Sequence, residues 1–209
     1  MQDTEDIKDP TPNTIIILDI ETSGLDAQED HITCIGCLDP ERGITQFTHS
    51  AEAFRTEPLM AEKDILEHFF AYYHPKMALI TYNGVKFDVP FILARAELHD
   101  IDHEVGFPPK SHIDLSRFVK HVSKHYTSKD TAARNTAGLY VPNTIAGSFL
   151  ARIYKHKTVT DEQHLEMLQH NSIDLAATAK MHAILHDYKD FDEWLLEESA
   201  PKRLVEQGR

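Results

Sequence analysis

The sequence predicts an α/β fold in which five strands are flanked by helices, and three observations predict it. Ile15-Ile16-Ile17-Leu18 is an unbroken apolar run, bounded by Pro12-Asn13 before it and Ser23-Gly24 after it, which marks a short strand buried on both faces. Two further apolar runs, His31 to Leu38 and Ile44 to Thr48, follow with a proline- and glycine-containing turn between them. Beyond these, short apolar runs alternate with segments of helical spacing, and the chain from Asp130 onward is helical in pattern.

Taken in order, the first three strands form a sequential antiparallel set joined through Asp39-Pro40-Glu41-Arg42-Gly43. Pro58 to Tyr73 reads as a helix, with Leu59, Ile65, Leu66, Phe69 and Phe70 near helical spacing. Met77 to Thr81 is a short buried strand that ends in the turn Tyr82-Asn83-Gly84, and Val89 to Leu98 is a helix that accepts Pro90 in its first turn. Ser111-His112-Ile113 is the last strand, and Asp114 is expected to cap the helix Leu115 to Val122. Gly138 and Pro142 mark breaks between the later helices.

The chain of 209 residues suits a single domain, expected over residues 13–189, with an acidic disordered tail over 1–12 and a helical extension over 190–209. Within that extension, Phe191 to Glu198 with Trp194 is expected to cap the core or to dock a partner. No apolar stretch approaches the roughly 20 residues of a membrane span, and the polar start is not a signal peptide, so an intracellular, cytoplasmic protein without a membrane partner is expected. Cys34 and Cys37 have no second pair to complete a zinc site and read as reduced core thiols. A net charge of −13 excludes a protein that coats nucleic acid through overall charge. The segment from Phe107 to Thr158 is nevertheless basic: Lys110, Arg117, Lys120, Lys124, Lys129, Arg134, Arg152, Lys155 and Lys157 stand against only Asp114 and Asp130. A local excess of that kind suits a phosphate-bearing substrate.

The chemistry begins at the end of the first strand. Alternation points Asp19 and Glu21 to the same side, and two buried like charges need a cation, whereas an exposed strand end would leave both solvated. The rest of the chain has to choose between these readings. Asp88 opens a helix after a buried strand, beside Asn83 and Lys86. His170 and Asp174 lie four apart, on one face of a helix.

Asp19-Ile20-Glu21, the Asn-x-x-x-Phe-Asp of Asn83 to Asp88, and His170 to Asp174 resemble, in this order, the three motifs of the DEDD superfamily of 3'-5' exonucleases. Tyr82 to Pro90, His112-Ile113-Asp114-Leu115, Gly147-Ser148 leading into Ala151-Arg152-Ile153-Tyr154, and the His-Asn-x-x-Asp of the third motif are similar to its YprB-like branch. The resemblance spans about Asn13 to Tyr188. It implies a ribonuclease H-like fold with a mixed five-stranded sheet, and hydrolysis of DNA or RNA phosphodiesters, most simply at a single-stranded 3' end. It further implies two divalent cations, Mg2+ or Mn2+, with Asp19 shared between them, Glu21 and Asp174 completing one site and Asp88 serving the second. His170 would orient and deprotonate the attacking water, since a histidine ordinarily titrates near pH 6.5. Thr22 to Leu25 would line the terminal-nucleotide pocket with Leu25 as a wedge, and Asn83 and Lys86 would meet phosphate or sugar.

The third motif departs from the family in one respect. Histidine in this position usually precedes its aspartate by five residues, a spacing that His182 and Asp187 would restore; the spacing here is that of the tyrosine branch. Asp174 is favoured because Leu175-Ala176-Ala177 after it can pack closely on a sheet. Two other classes compete: an idle nucleic-acid-binding module on the same fold, and a two-metal phosphoesterase acting on small nucleotides. The complete carboxylate set speaks against the first and the basic segment against the second.

Overall fold

The computed structural model describes residues 15–73, 77–102, 107–109, 111–125, 127–139, 146–188 and 191. The expected tail over 1–12, Pro142, and the extension past Phe191 with Trp194 lie outside the described residues. Strands β1 (Ile15–Thr22), β2 (Ile32–Asp39), β3 (Gly43–Thr48), β4 (Ala78–Thr81) and β5 (His112–Asp114) form one sheet in the order β3-β2-β1-β4-β5. β1, β2 and β3 pair antiparallel, whereas β4 and β5 run parallel to β1, so the sheet is mixed and β1 is its centre. The β2–β3 turn is closed by Gly43 at φ +83°, a conformation that glycine adopts without a Cβ clash.

The helices are α1 (Ala51–Thr56), α2 (Pro58–Tyr72), α3 (Asp88–Leu98), α4 (Leu115–Ser123), α5 (Lys129–Ala137), α6 (Gly147–Lys155) and α7 (Asp161–His186). α1 is an addition to the expected order; its six residues are too few for a periodic signal, and Ser50 caps it by accepting from the Ala53 N–H. Asp114 caps α4, as its position predicts. α7 opens with a capping box between Thr160 and Gln163 and buries Met167, Asn171, Leu175, Thr178, Met181 and Leu185, a stripe at helical spacing. Among the described residues, no helix is long and apolar enough to cross a membrane.

Alternation along β1 divides the core in two. Ile16, Leu18 and Ile20 join the cluster that includes residues of α1, α2, α3 and α6, while Ile17 joins Ile80, Leu115, Phe118, Leu175 and Met181 on the other face. Asp19 and Glu21 share the parity of Ile17 and therefore project toward α5 and α7. Phe191 is buried against Phe118, with ring centroids 4.9 Å apart, and closes this second cluster. Cys34 and Cys37 are buried free thiols, and burial pushes both well above the ordinary thiol range, which makes them core residues rather than nucleophiles.

Candidate active site

Asp19 and Glu21 stand where β1 leaves its regular pairing, just before a register shift between Glu21 and Thr22. The third carboxylate arrives from a different element: Asp88 opens α3, and its Oδ1 accepts the backbone N–H of Ile20 at 3.1 Å, the residue between the two strand acids. The turn ahead of Asp88 is built by Asp114. That carboxylate accepts the backbone N–H groups of Asn83 (2.7 Å) and Val85 (3.2 Å) as well as the Ser116 N–H and hydroxyl, so the predicted helix cap also anchors the turn. Asn83 there has φ +68°, and a Cβ at Gly84 would lie 2.5 Å from the Thr81 side chain.

α7 delivers the remaining groups. His170 Nε2 lies 3.9 Å from Glu21 Oε1 and 3.8 Å from Asp174 Oδ2, and Asn171 between them bonds to Asp19. The start of α6 lies against the same place, since a Cβ on Gly147 would be 3.8 Å from His170 Nε2. His182, by contrast, packs against His186 and Phe191 in the second core cluster, away from the carboxylates.

One site residue went unassigned by sequence reasoning. Lys129, the first residue of α5, donates from Nζ to Asp19 Oδ1 and, at 2.8 Å, to Asp174 Oδ2. Within a run of basic residues nothing distinguishes it, because its partners are remote in sequence. Asn171 falls inside the third motif, yet the motif gives it no role.

Burial raises the carboxyls of Asp19 and Glu21, with Asp174 adding to both, and Asp88 is pushed up to about 8 by burial and by Asp19. Burial would lower Lys129, but Asp19 and Asp174 override it and hold the ammonium firmly charged. Among the described residues, the Lys129 ammonium against four carboxyl groups leaves the cluster short of positive charge, and a set of hard oxygen donors fits a hard divalent cation. Among the same residues no three His, Cys, Asp or Glu side chains already stand around one point as a ligand shell, and two of the four carboxylates, Asp19 and Asp174, are engaged by Lys129.

The loop from β1 to β2 forms the rim. Thr22 Oγ1 donates to the Gly24 carbonyl at 2.6 Å, and Leu25 is 84% exposed rather than packed. The loop is tied down twice: Lys155 pairs with buried Asp30 at 2.9 Å, and Arg95, itself paired with Glu62, donates to the Ala27 carbonyl at 3.1 Å. Lys155 is thus a clamp on this loop rather than a free cation. Lys86 is exposed on the turn before Asp88, and among the described residues the side chains of Asn83 and Lys86 make no hydrogen bond or ion pair with the carboxylates.

Similar architecture occurs in solved structures of low identity. The family B DNA polymerase from Pyrobaculum calidifontis matches at 14% identity with a TM-score of 0.65, over 85% of this chain and 25% of that one, so the chain spans about a quarter of the polymerase's length. A nuclease in its apo form matches at 13% identity with a TM-score of 0.52, over 88% of this chain and 77% of its own. Exonuclease I from E. coli, in complex with a dA16 oligonucleotide, matches at 16% identity with a TM-score of 0.48, over 89% of this chain and 42% of that one. No curated protein matches the sequence. A family model of the RNase_H superfamily, RNase_H_2, matches residues 16–199. That match takes in the mixed sheet from the second residue of β1 onward and every acid gathered at β1, and the chain accordingly belongs to the RNase_H superfamily.

Proposed function

We propose that this chain is a metal-dependent 3'-5' exonuclease of the DEDD type, in its YprB-like branch, acting on a single-stranded 3' end of DNA or RNA. The observation that carries the reading is the convergence of Asp19, Glu21, Asp88 and Asp174 on one side of the central strand, with His170 Nε2 3.8 Å from Asp174 and 3.9 Å from Glu21. An RNase H-like nuclease fold supports it.

In this reading Asp19, Glu21, Asp88 and Asp174 would hold two divalent cations, and bound there they would supply charge stabilisation for the attacking and departing oxygens of the phosphodiester. His170 takes a proton from the attacking water through Nε2, the ring nitrogen that faces the acids. Thr22, whose hydroxyl is committed to the Gly24 carbonyl, shapes the pocket wall, and exposed Leu25 wedges against the terminal base. Asn83 and Lys86 meet the substrate backbone from the turn before Asp88.

A degradation assay on matched DNA and RNA strands, each blocked in turn at its 3' and 5' ends, with Mg2+, Mn2+ or chelator, tests the assignment. Mononucleotide release should require a free 3' end and a divalent cation, and Asp19→Asn or Asp174→Asn should abolish it while leaving a cooperative melt. Near-normal turnover of either variant at saturating Mg2+ overturns the two-metal assignment. Phosphate release from monoesters without strand degradation overturns the exonuclease reading.

A further inference from the structure

We infer that Asn171 is a positioning residue for Asp19, and that Gly36 and Gln46 are the positions that seat it; the inference rests on the exonuclease reading for its consequence in metal binding. Asn171 is fully buried, and every polar capacity of its amide is used. Nδ2 donates at 3.2 Å both to the Asp19 carbonyl and to Asp19 Oδ2, while Oδ1 accepts from Gln46 Nε2 at 3.0 Å and from Cys34 Sγ at 3.8 Å.

The amide can point only one way. Gln46 Nε2 also donates to the Leu168 carbonyl at 2.8 Å, so a backbone acceptor fixes the Gln46 amide. Gln46 then presents a donor to Asn171, which must answer with Oδ1 and turn Nδ2 toward Asp19, whose own carbonyl is again an obligate acceptor. The result divides the Asp19 carboxylate: Oδ2 is held by Asn171, and Oδ1 is left facing Lys129 and the other acids.

Gly36 explains how an amide from a helix reaches into a sheet. It is the cross-strand partner of Asp19 on one side and of Gln46 on the other. A Cβ at position 36 would lie 2.0 Å from Asn171 Oδ1, so any side chain there would fill the space that the amide occupies. A glycine in a strand interior weakens the strand, and here the missing side chain admits a neighbouring group. Removing a group that orients a ligand from behind typically changes metal affinity or activity by about 10- to 100-fold.

The test uses the full chain as wild type, Asn171→Leu, which keeps volume and removes the donor, and Gln46→Leu, whose residue is only half-buried. Two readouts are independent. In NMR the Asn171 side-chain amide protons should exchange slowly and shift in Asp19→Asn; exchange as fast as that of an exposed asparagine overturns the inference. In calorimetry Asn171→Leu should bind Mn2+ about 10-fold or more weakly, and kcat should fall with KM little changed. Gln46→Leu should move both in the same direction by a smaller factor. A folded Asn171→Leu with wild-type Mn2+ affinity and kcat overturns the inference. Should that variant not fold, the amide readout and Gln46→Leu decide, and wild-type behaviour of Gln46→Leu then overturns it. Failure of wild type to bind Mn2+ would instead remove the exonuclease reading, with the NMR readout still deciding the role of Asn171.

Discussion

Replacing Lys129 by methionine keeps an unbranched apolar stem one atom shorter and removes the ammonium that bridges Asp19 and Asp174. The lysine side chain is 15% exposed, and its partners are 11% and 16% exposed, so water screens this cluster little. Removing one partner of a buried ion pair typically costs about 3–5 kcal/mol, because the charge left behind is uncompensated. For a chain of this size each kcal/mol moves the melting temperature by about 2–4 °C, which puts the loss in chelator at about 6–20 °C. Protonation of Asp19, whose carboxyl burial already raises, relieves part of the repulsion, so the lower half of that range is expected. Excess Mn2+ should restore much of the loss, since a cation that binds only the folded state stabilises it by mass action. The assay is a thermal melt of wild type and Lys129→Met at pH 7.5, with EDTA and with Mn2+. Melting temperatures that coincide in EDTA, or a loss that Mn2+ leaves untouched, would refute the role of Lys129 as the counter-charge of this cluster.

Three further outcomes are expected. Asp88 is raised from an ordinary 3.8 to about 8, so its contribution to stability is fully present below about pH 4 and is lost as pH rises toward 8. Metal-free wild type should therefore lose more stability between pH 5 and 8 than Asp88→Asn, which cannot ionise yet still accepts the Ile20 N–H; parallel denaturant-melt slopes for the two would contradict this. His170→Ala should lower single-turnover hydrolysis about 100-fold or more while leaving Mn2+ affinity nearly unchanged, and His170→Tyr should retain more activity; equal losses would mark His170 as structural. Reversing exposed Lys120 and Lys124 to glutamate should reduce the salt dependence of single-strand binding by roughly 0.7 in log–log slope for each phosphate no longer neutralised, and an unchanged slope would leave them as solvated charges.

Backbone N–H groups hold Asp88 and the turn ahead of it, while side chains hold Asp19 and Asp174. Asp88 takes the Ile20 N–H, and Asp114 takes two N–H groups of the turn ahead of it. The Ile20 N–H orients the Asp88 carboxyl, Lys129 and Asn171 orient Asp19, and the raised carboxyls of Asp19, Glu21 and Asp88 limit the repulsion among them.

The sequence alone determined whatever depends on neighbours in the chain. Strand alternation put Asp19 and Glu21 on one side, helical spacing put His170 beside Asp174, and the capping position of Asp114 followed from the residue type that precedes an apolar helix. Tertiary structure alone decided what depends on register between remote elements. The seating of α7 on β1 places His170 beside the carboxylates and His182 in the second core cluster, although both lie on the same helix. Lys129 reads as one cation in a basic run until α5 carries it 110 residues back to Asp19, and nothing in the sequence marks the space above Gly36 that Asn171 fills. Periodicity is a property of the backbone over a few residues, whereas the charge balance and the empty space of a buried site are set by groups that only folding brings within reach.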